Sequence, residues 1–172
     1  MQIRCVVAGC SWAVFLGTAG IISAASLSHA DKRFVVMAAT SDMSEAHEGQ
    51  MAENQATRAD VKEFAKMLVQ DHTKSYDQLS ELAAKEGVSV PRGIDTAKNK
   101  TIVQLVHSSG KQFDSRFIQD EITGHRRAIA AFKREAKRGQ DAEIRDYAAK
   151  MIPVLESHLH EAEKCAHPAA RS

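Results

Sequence analysis

Residues 57–87 read TRADVKEFAKMLVQDHTKSYDQLSELAAKEG, and this stretch decides the fold. Its apolar or small residues recur at the spacing of one helical face. They are Val61, Phe64, Leu68, Ser75, Leu79 and Leu82. Thr57 is the predicted N-cap, with Asp60 as its capping-box partner, and Gly87 is the predicted stop. His72 lies inside the stripe, so the pattern places a histidine on the inward face of a long helix.

Three further long helices are predicted around that stretch, over residues 34–56, 109–138 and 141–162. Each has one continuous stripe of apolar or small residues at helical spacing. Glu45 is the one strong charge at the centre of the first stripe, Glu121 and His125 lie in the second, and His158 lies in the third. Pro153 falls inside the last helix and is predicted to bend it, because proline removes a backbone donor.

The connections predict how these helices are joined. Very short turns separate the helices of each pair, so we expect two antiparallel hairpins. Between the hairpins, Pro91 and Gly93 break any regular element, and Asp95 is the predicted cap of a short helix at 96–107. The predicted fold is therefore all-α, a ferritin-like four-helix bundle over residues 31–166 with a crossover containing a short fifth helix. Residues 167–172 are expected to be a disordered tail.

The first 30 residues have the pattern of a secretory signal peptide. MQIR carries positive charge, residues 5–25 carry none, and Ser28 and Ala30 offer the small side chains that signal peptidase reads. We expect cleavage after Ala30 and a periplasmic or cell-envelope location. An uncleaved membrane anchor is one alternative, although small polar residues dilute the apolar run. Lipoprotein processing at Cys10 is another, but it comes too early to leave a proper apolar region before it.

Charge and cysteine content limit the partners. The chain has 23 basic and 22 acidic side chains, and only Arg4 among them lies in the first 30 residues. We therefore expect no nucleic-acid binding, which needs a basic surface, and no membrane span once the signal is removed. Cys5 and Cys10 lie in the predicted signal, which leaves Cys165 alone. Cys165 is then an idle thiol or the link of a homodimer.

Four segments resemble the bacterial domain of unknown function 4142 family. They are FVVMAATSDMSEAHEGQMA (34–52), VKEFAKMLVQDHTKSYDQLSELAAKEGV (61–88), FDSRFIQDEITGHRRAIAAFKREAKRGQD (113–141) and IRDYAAKMIPVLESHLHEA (144–162). The best markers are Asp71-His72, Gly124-His125 and Pro153 followed by His158. The resemblance implies a ferritin-like bundle in exported bacterial proteins of the periplasm or outer membrane. It implies no established reaction.

Five inward-facing side chains form the candidate site. They are Glu45, His72, Glu121, His125 and His158. Every long helix contributes, and counting from the hairpin turns places all of them near mid-height of the bundle. Carboxylates and imidazoles that meet between helices are how bundle metal sites are built. The sequence therefore predicts a site for a transition metal, with zinc, copper and iron as the candidates.

The spacing of these residues argues against a di-iron centre. Such a centre needs Glu-x-x-His on two helices, whereas Val69, Ile122 and Leu155 occupy the positions where a glutamate would precede each histidine. A mononuclear, imidazole-rich site remains. Met43, His47 and Met51 form a second, weaker candidate for Cu(I) on another face of the first helix.

The alternative is a polar layer that only fixes the fold. Buried histidines are often satisfied by hydrogen bonds, and Glu45, Glu121, Asp71 and Tyr147 are available partners. Three functions are open. The first is an exported bundle that binds a metal ion or small ligand, and the second is a non-catalytic structural or stress-related envelope protein. A redox enzyme is the third, which the absent Glu-x-x-His pairs disfavour. No phosphate loop or nucleophile elbow is present in the sequence, so nothing in it supports catalysis.

Overall fold

Five α-helices make up the computed structural model, which describes residues 27–94, 96 and 99–167. They are α1 (His29–Gln55), α2 (Ala59–Lys85), α3 (Lys100–Val106), α4 (Gly110–Arg138) and α5 (Ala142–Ala166). The described residues contain no strand. α1 packs along α2 and α4 along α5, while α1 also contacts α4 and α2 contacts α5. The predicted all-α, ferritin-like bundle is confirmed.

Two buried aspartates establish the direction of each helix. Asp31, in the first turn of α1, accepts the N–H groups of Gln140 and Asp141 at 3.1 Å each, in the turn between α4 and α5. Near the start of α4, Asp114 accepts N–H groups from the turn between α1 and α2. Each hairpin therefore begins against the turn of the other, so α4 runs antiparallel to α1. The connection after α2 consequently crosses the length of the bundle, as in ferritin-like folds.

Several predicted helix ends agree with the structure. Gly87 follows α2 with a positive φ of 65°, which glycine adopts without strain. Gly139 follows α4, and the Asp141 side chain caps α5 by accepting the N–H of Ile144 at 3.0 Å. Pro153 lies within α5, which continues past it to Ala166. The bend at Pro153 stays a prediction.

The predicted start of α2 was wrong. Arg58 occupies the N-cap position, without a capping side chain. The N–H and hydroxyl of Thr57 instead both bond to Asp114, at 2.9 and 2.5 Å. Asp60 pairs with the Arg58 guanidinium rather than closing a capping box. A long-range partner therefore replaced the local cap, because a buried carboxylate needs several donors.

Two other boundaries were also misplaced. α1 begins at His29 rather than at residue 34, with the Ser28 hydroxyl accepting the N–H of Asp31 at 3.1 Å. Leu27, four residues before the predicted start of the domain at residue 31, is buried in the core. α3 begins at Lys100 and is capped by the Asn99 side chain. The predicted cap Asp95 and residues 168–172 of the predicted tail lie outside the described residues.

The core has two apolar clusters, one toward each end of the bundle. The cluster near the α1–α2 turn includes Phe64, Leu68, Phe113 and Phe117. The cluster near the α4–α5 turn includes Phe34, Leu79, Phe132 and Ile144, and the rings of Phe34 and Phe132 meet edge-to-face with centroids 4.9 Å apart. Each large side chain contributes about 1.5–3 kcal/mol when fully buried. These clusters exclude water on both sides of a polar layer at mid-bundle.

Cys165 is part of the core near the C-terminal end of α5. Its thiol is buried and lies 3.7 Å from the carbonyl oxygen of Asp60, and burial raises the pKa of the thiol. A disulfide-linked homodimer would require this turn of α5 to open, and such a dimer stays a prediction. Among the described residues, no helix combines the length and apolar character needed to cross a membrane.

Candidate metal centre

Three histidine rings, one each from α2, α4 and α5, meet between the helices. His72, His125 and His158 are all almost completely buried. Their ring centroids are 5.2 Å apart for His72 and His158, 5.2 Å for His125 and His158, and 5.7 Å for His72 and His125. Each ring offers a nitrogen that lies within 4.8 Å of those of the other two. Glu45 joins them from α1, so all four long helices contribute.

One nitrogen of each ring is tied to an acceptor on the outer side of the cluster. The three pairs are His72 Nδ1 with Asp42 Oδ1, His125 Nδ1 with the backbone oxygen of Glu121, and His158 Nε2 with Asp71 Oδ2, each 2.9 Å apart. Carboxylate and carbonyl oxygens only accept hydrogen bonds, so these ring nitrogens carry the hydrogen. In a neutral imidazole, the opposite nitrogen then has a free lone pair. Outer partners of this kind orient metal-binding histidines in proteins.

The remaining ring nitrogens face one another and Glu45. His125 Nε2 lies 3.2 Å from His158 Nδ1, and Glu45 Oε2 lies 2.9 Å from His72 Nε2 and 3.5 Å from His125 Nε2. The 2.9 Å contact is close enough for an ion pair, but neither atom has a well-directed hydrogen-bond partner among the described residues. Facing lone pairs repel unless a proton or a cation lies between them. The arrangement therefore requires positive charge at its centre.

Electrostatics divides the three histidines into different protonation states. Burial opposes a charge on His72, but Glu45 and Asp42 outweigh it and raise the pKa of that ring well above its ordinary value. Burial also opposes the charge of Glu45, yet His72 lowers the pKa of this carboxyl. Burial, reinforced by His72 and His125, lowers the pKa of His158 to about 4. Burial likewise opposes a charge on His125, but Glu121 and Glu45 outweigh it and raise the pKa of that ring. Without a metal, positive charge is therefore favoured on His72 and His125, whereas His158 is neutral.

Glu121 lies behind His125 rather than among the facing lone pairs. Its Oε2 is 3.4 Å from His125 Nδ1, and its Oε1 has no hydrogen-bond partner among the described residues. Burial, together with the Glu45 charge, raises the pKa of Glu121. Glu45, Glu121 and His125 also offer ligand atoms within 4.8 Å of one another. Two groups of potential ligands therefore share His125: the three histidines, and Glu45 with Glu121. Glu121 belongs only to the second group.

Sequence reasoning missed Asp42 as a partner of His72. Asp42 lies on α1 three residues before Glu45, and this spacing lets both carboxylates flank one ring. Ser75 completes the group by donating to Asp42 Oδ2 at 2.8 Å and contacting the Tyr147 hydroxyl at 2.8 Å. Asp71 does pair with a histidine, but this is His158 on α5 rather than its neighbour in sequence, His72. Successive residues diverge by about 100° around a helix, so Asp71 and His72 face different neighbours.

The second predicted copper face, on α1, is unevenly buried. Met51 is 9% exposed and belongs to the apolar core, while Met43 and His47 are only half-buried. The three side chains therefore do not share one open surface. Met51 was misread because a thioether at helical spacing is equally suited to a core.

Fold and site together define a ferritin-like helical bundle with a buried histidine and carboxylate centre. The chain belongs to the family described as domain of unknown function (DUF4142), whose model matches residues 17–165. The predicted resemblance is thereby confirmed. No sequence among curated proteins matches the chain.

Solved structures share the fold at low sequence identity. A DUF305 fragment from Deinococcus radiodurans has a TM-score of 0.72 and 11% identity, over 83% of this chain and 98% of its own. A structure described as "CopM in the Cu(II)-bound form" has a TM-score of 0.65 and 16% identity, over 81% and 98%. A conserved hypothetical protein, rv2844, from Mycobacterium tuberculosis has a TM-score of 0.65 and 11% identity, over 83% and 94%. These likenesses support the fold alone.

Proposed function

We propose that this protein is an exported helical-bundle protein that binds one transition-metal ion between its four long helices. The proposed ligands are His72 Nε2, His125 Nε2, His158 Nδ1 and Glu45 Oε2. One observation carries the proposal: three buried rings are each held by an outer acceptor so that their free nitrogens converge. A bound cation removes the repulsion between those lone pairs and neutralises Asp42 and Glu45.

The ligand set favours particular metals. Three imidazole nitrogens and one carboxylate oxygen suit Zn²⁺ and Cu²⁺, with Fe²⁺ as a weaker candidate. Cu(I) prefers sulfur ligands, and none belongs to the proposed set. Solved structures of similar fold are described as Cu(II)- and Cu(I)-bound CopM, at 16% and 15% identity. Those descriptions are a reason to include copper beside zinc in the binding test.

A second candidate function rests on the environment of His72. Its ring lies 2.9 Å from both Asp42 and Glu45, which is the geometry of an imidazolium held between two carboxylates. In this case, a proton on His72 takes the place of the metal, and the buried layer of histidines and carboxylates fixes the register of the helices. The protein would then be a structural envelope protein without a bound ion.

Metal titration of untagged protein, stripped by a chelator, separates the two functions. The proposal predicts one Zn²⁺ or Cu²⁺ per chain, and a melting temperature that rises with metal concentration because only the folded state binds. His158→Gln should reduce the affinity by more than about 100-fold, since losing an outer partner alone costs about 10–100-fold. His160→Gln, an exposed histidine on the same helix, is the matched control and should bind like the wild type.

The proton-only function predicts different results. Metal would then leave the melting temperature of the wild type and of both variants unchanged. Equal metal binding by the wild type and His158→Gln would also contradict the proposed ligand set.

Export is the second part of the proposal, and it is supported by the sequence pattern of residues 1–30. The predicted cut after Ala30 would remove Leu27, a core residue, and Ser28, which caps α1. We therefore favour a cut upstream of Leu27. The intact mass of protein isolated from the periplasm distinguishes an upstream start from a start at Asp31, and an unprocessed chain would contradict export with cleavage.

A further inference from the structure

A cavity of about 440 Å³ lies between α1, α4 and the crossover connection, beside the histidine cluster. Four carboxylate residues line it, two from each of the long helices: Glu45 and Glu48 on α1, and Asp120 and Glu121 on α4. Hydroxyl and amide groups of Ser44, Thr101 and Asn99 add oxygen atoms to the wall. No lysine or arginine lines the cavity within the described part of the chain.

Oxygen atoms of two of these carboxylates, Glu121 and Asp120, are left without hydrogen-bond partners. Glu121 is 2% exposed, and its Oε1 has no hydrogen-bond partner among residues 27–94, 96 and 99–167. Asp120 Oδ2 likewise has no hydrogen-bond partner among these residues. A buried carboxylate without a donor or cation is costly, so the fold retains these atoms only where something compensates them.

Positively charged groups outside the cavity compensate the negative charge of its carboxylates only in part. Arg116 faces Asp120, and His72 and His125 lie behind Glu45 and Glu121. Glu48 is buried, and burial together with Glu121, Glu45 and Asp120 raises its pKa to about 9. A cation in the cavity would supply the missing partner of Glu121 Oε1.

We propose that this cavity is a second cation site, for a hard divalent ion such as Mn²⁺. Glu48 and Glu121 are its direct ligands, and Asp120 and the neighbouring hydroxyls hold the hydrated ion through water molecules. Oxygen donors favour Mg²⁺, Ca²⁺ and Mn²⁺, whereas the imidazole centre favours softer ions. The two sites adjoin through Glu45, which belongs to the imidazole centre. The inference goes beyond the proposed function and does not rest on it.

Electron paramagnetic resonance with Mn²⁺ tests the proposal, because the signal of free Mn²⁺ decreases as the ion binds. The full mature chain is titrated with Mn²⁺ alone and after loading with Zn²⁺. The expected result is one Mn²⁺ per chain in both cases. Glu48→Gln and Asp120→Asn should each weaken binding at least tenfold. Glu53→Gln, on α1 but outside the cavity, is the matched control and should bind as the wild type does.

His158→Gln keeps the two proposals distinguishable. This variant should lose Zn²⁺ and keep Mn²⁺, whereas Glu48→Gln should keep Zn²⁺ and lose Mn²⁺. Loss of Mn²⁺ in His158→Gln would assign the ion to the imidazole centre and overturn the second site. Absence of Mn²⁺ binding in the wild type, or equal binding in folded Glu48→Gln and Asp120→Asn, would overturn it as well.

Discussion

The two hairpins of the bundle are alike at their ends and different at their centres. Asp31 accepts the N–H groups of Gln140 and Asp141, and Asp114 accepts those of Thr57 and Arg58. The two aspartates are 83 positions apart, and the same interval separates the two pairs of donors. Each hairpin therefore begins with an aspartate that holds the turn of the other. Both oxygens of each carboxylate receive a donor, so these two contacts are complete without a ligand.

The same interval of 83 residues relates the polar centres of the two hairpins, where the side chains differ. It pairs Asp42 with His125 and Ser75 with His158. In the first hairpin, Ser75 donates to Asp42 at 2.8 Å, which satisfies both groups. At the equivalent place in the second hairpin, His125 Nε2 and His158 Nδ1 face each other at 3.2 Å, and this pair bonds only when one of the two nitrogens carries a hydrogen or both bind a cation. The Ser75–Asp42 contact is complete without a ligand, whereas the histidine pair needs a proton or a cation, which is why the metal proposal concerns the second contact.

The largest expected effect comes from removing an end contact. Asp114→Ala should lower the free energy of unfolding by about 2–4 kcal/mol, because it leaves two backbone N–H groups near the core without an acceptor. Urea denaturation measures the change. Metal affinity of the folded variant should equal that of the wild type. A loss of metal binding in folded Asp114→Ala would show that ends and centre are not independent.

Two mid-helix glycines sharpen the comparison on a smaller scale. A Cβ added at Gly49, on α1, would lie 2.9 Å from Val69 Cγ2 and 3.0 Å from the carbonyl oxygen of Ala65, whereas at Gly124, on α4, it would meet nothing within 4 Å. Gly49→Ala should therefore destabilise the protein by about 1–3 kcal/mol through overpacking. Gly124→Ala should stabilise it by about 0.5–1 kcal/mol, because alanine favours the helix. Thermal unfolding of both variants checks the opposite signs, and equal signs would contradict the close approach of α1 and α2.

The smallest effect is a pH dependence at the Asp31 end. Burial and the neighbouring Asp31 raise the pKa of Glu135 to about 7, while Arg134 acts in the opposite direction. The folded state therefore favours the protonated acid, and the stability that this gives is complete below the ordinary pKa and is lost as pH rises through about 7. Glu135→Gln should stabilise the protein at pH 8 and have little effect below about pH 4.5.

Urea denaturation across that pH range measures this effect. Glu143→Gln, an exposed position at the start of α5, is the control and should show no such trend. A constant difference between Glu135→Gln and the wild type at all pH values would contradict a buried, titrating carboxyl.

The sequence could predict the fold and the residues of the centre because both depend on helical periodicity. His72, His125 and His158 lie on the stripes that also carry the core, so burying the stripes brings the rings together. Helical periodicity does not predict which side chains on different helices form hydrogen bonds with each other. No role was predicted for Asp114, because its hydrogen-bond partners in the α1–α2 turn are 56 and 57 residues away in the sequence. The cavity at Glu48 was missed for the same reason, because it exists only once α1, α4 and the crossover are packed.

The central claim is that three imidazoles of this bundle share one metal ion. X-ray absorption at the zinc edge of the loaded, untagged protein tests it most directly. The account predicts three imidazole nitrogens and one oxygen at about 2.0–2.2 Å, and loss of this spectrum in His158→Gln but not in His160→Gln. A first shell made mainly of oxygen, or a spectrum that His158→Gln leaves unchanged, would contradict the account.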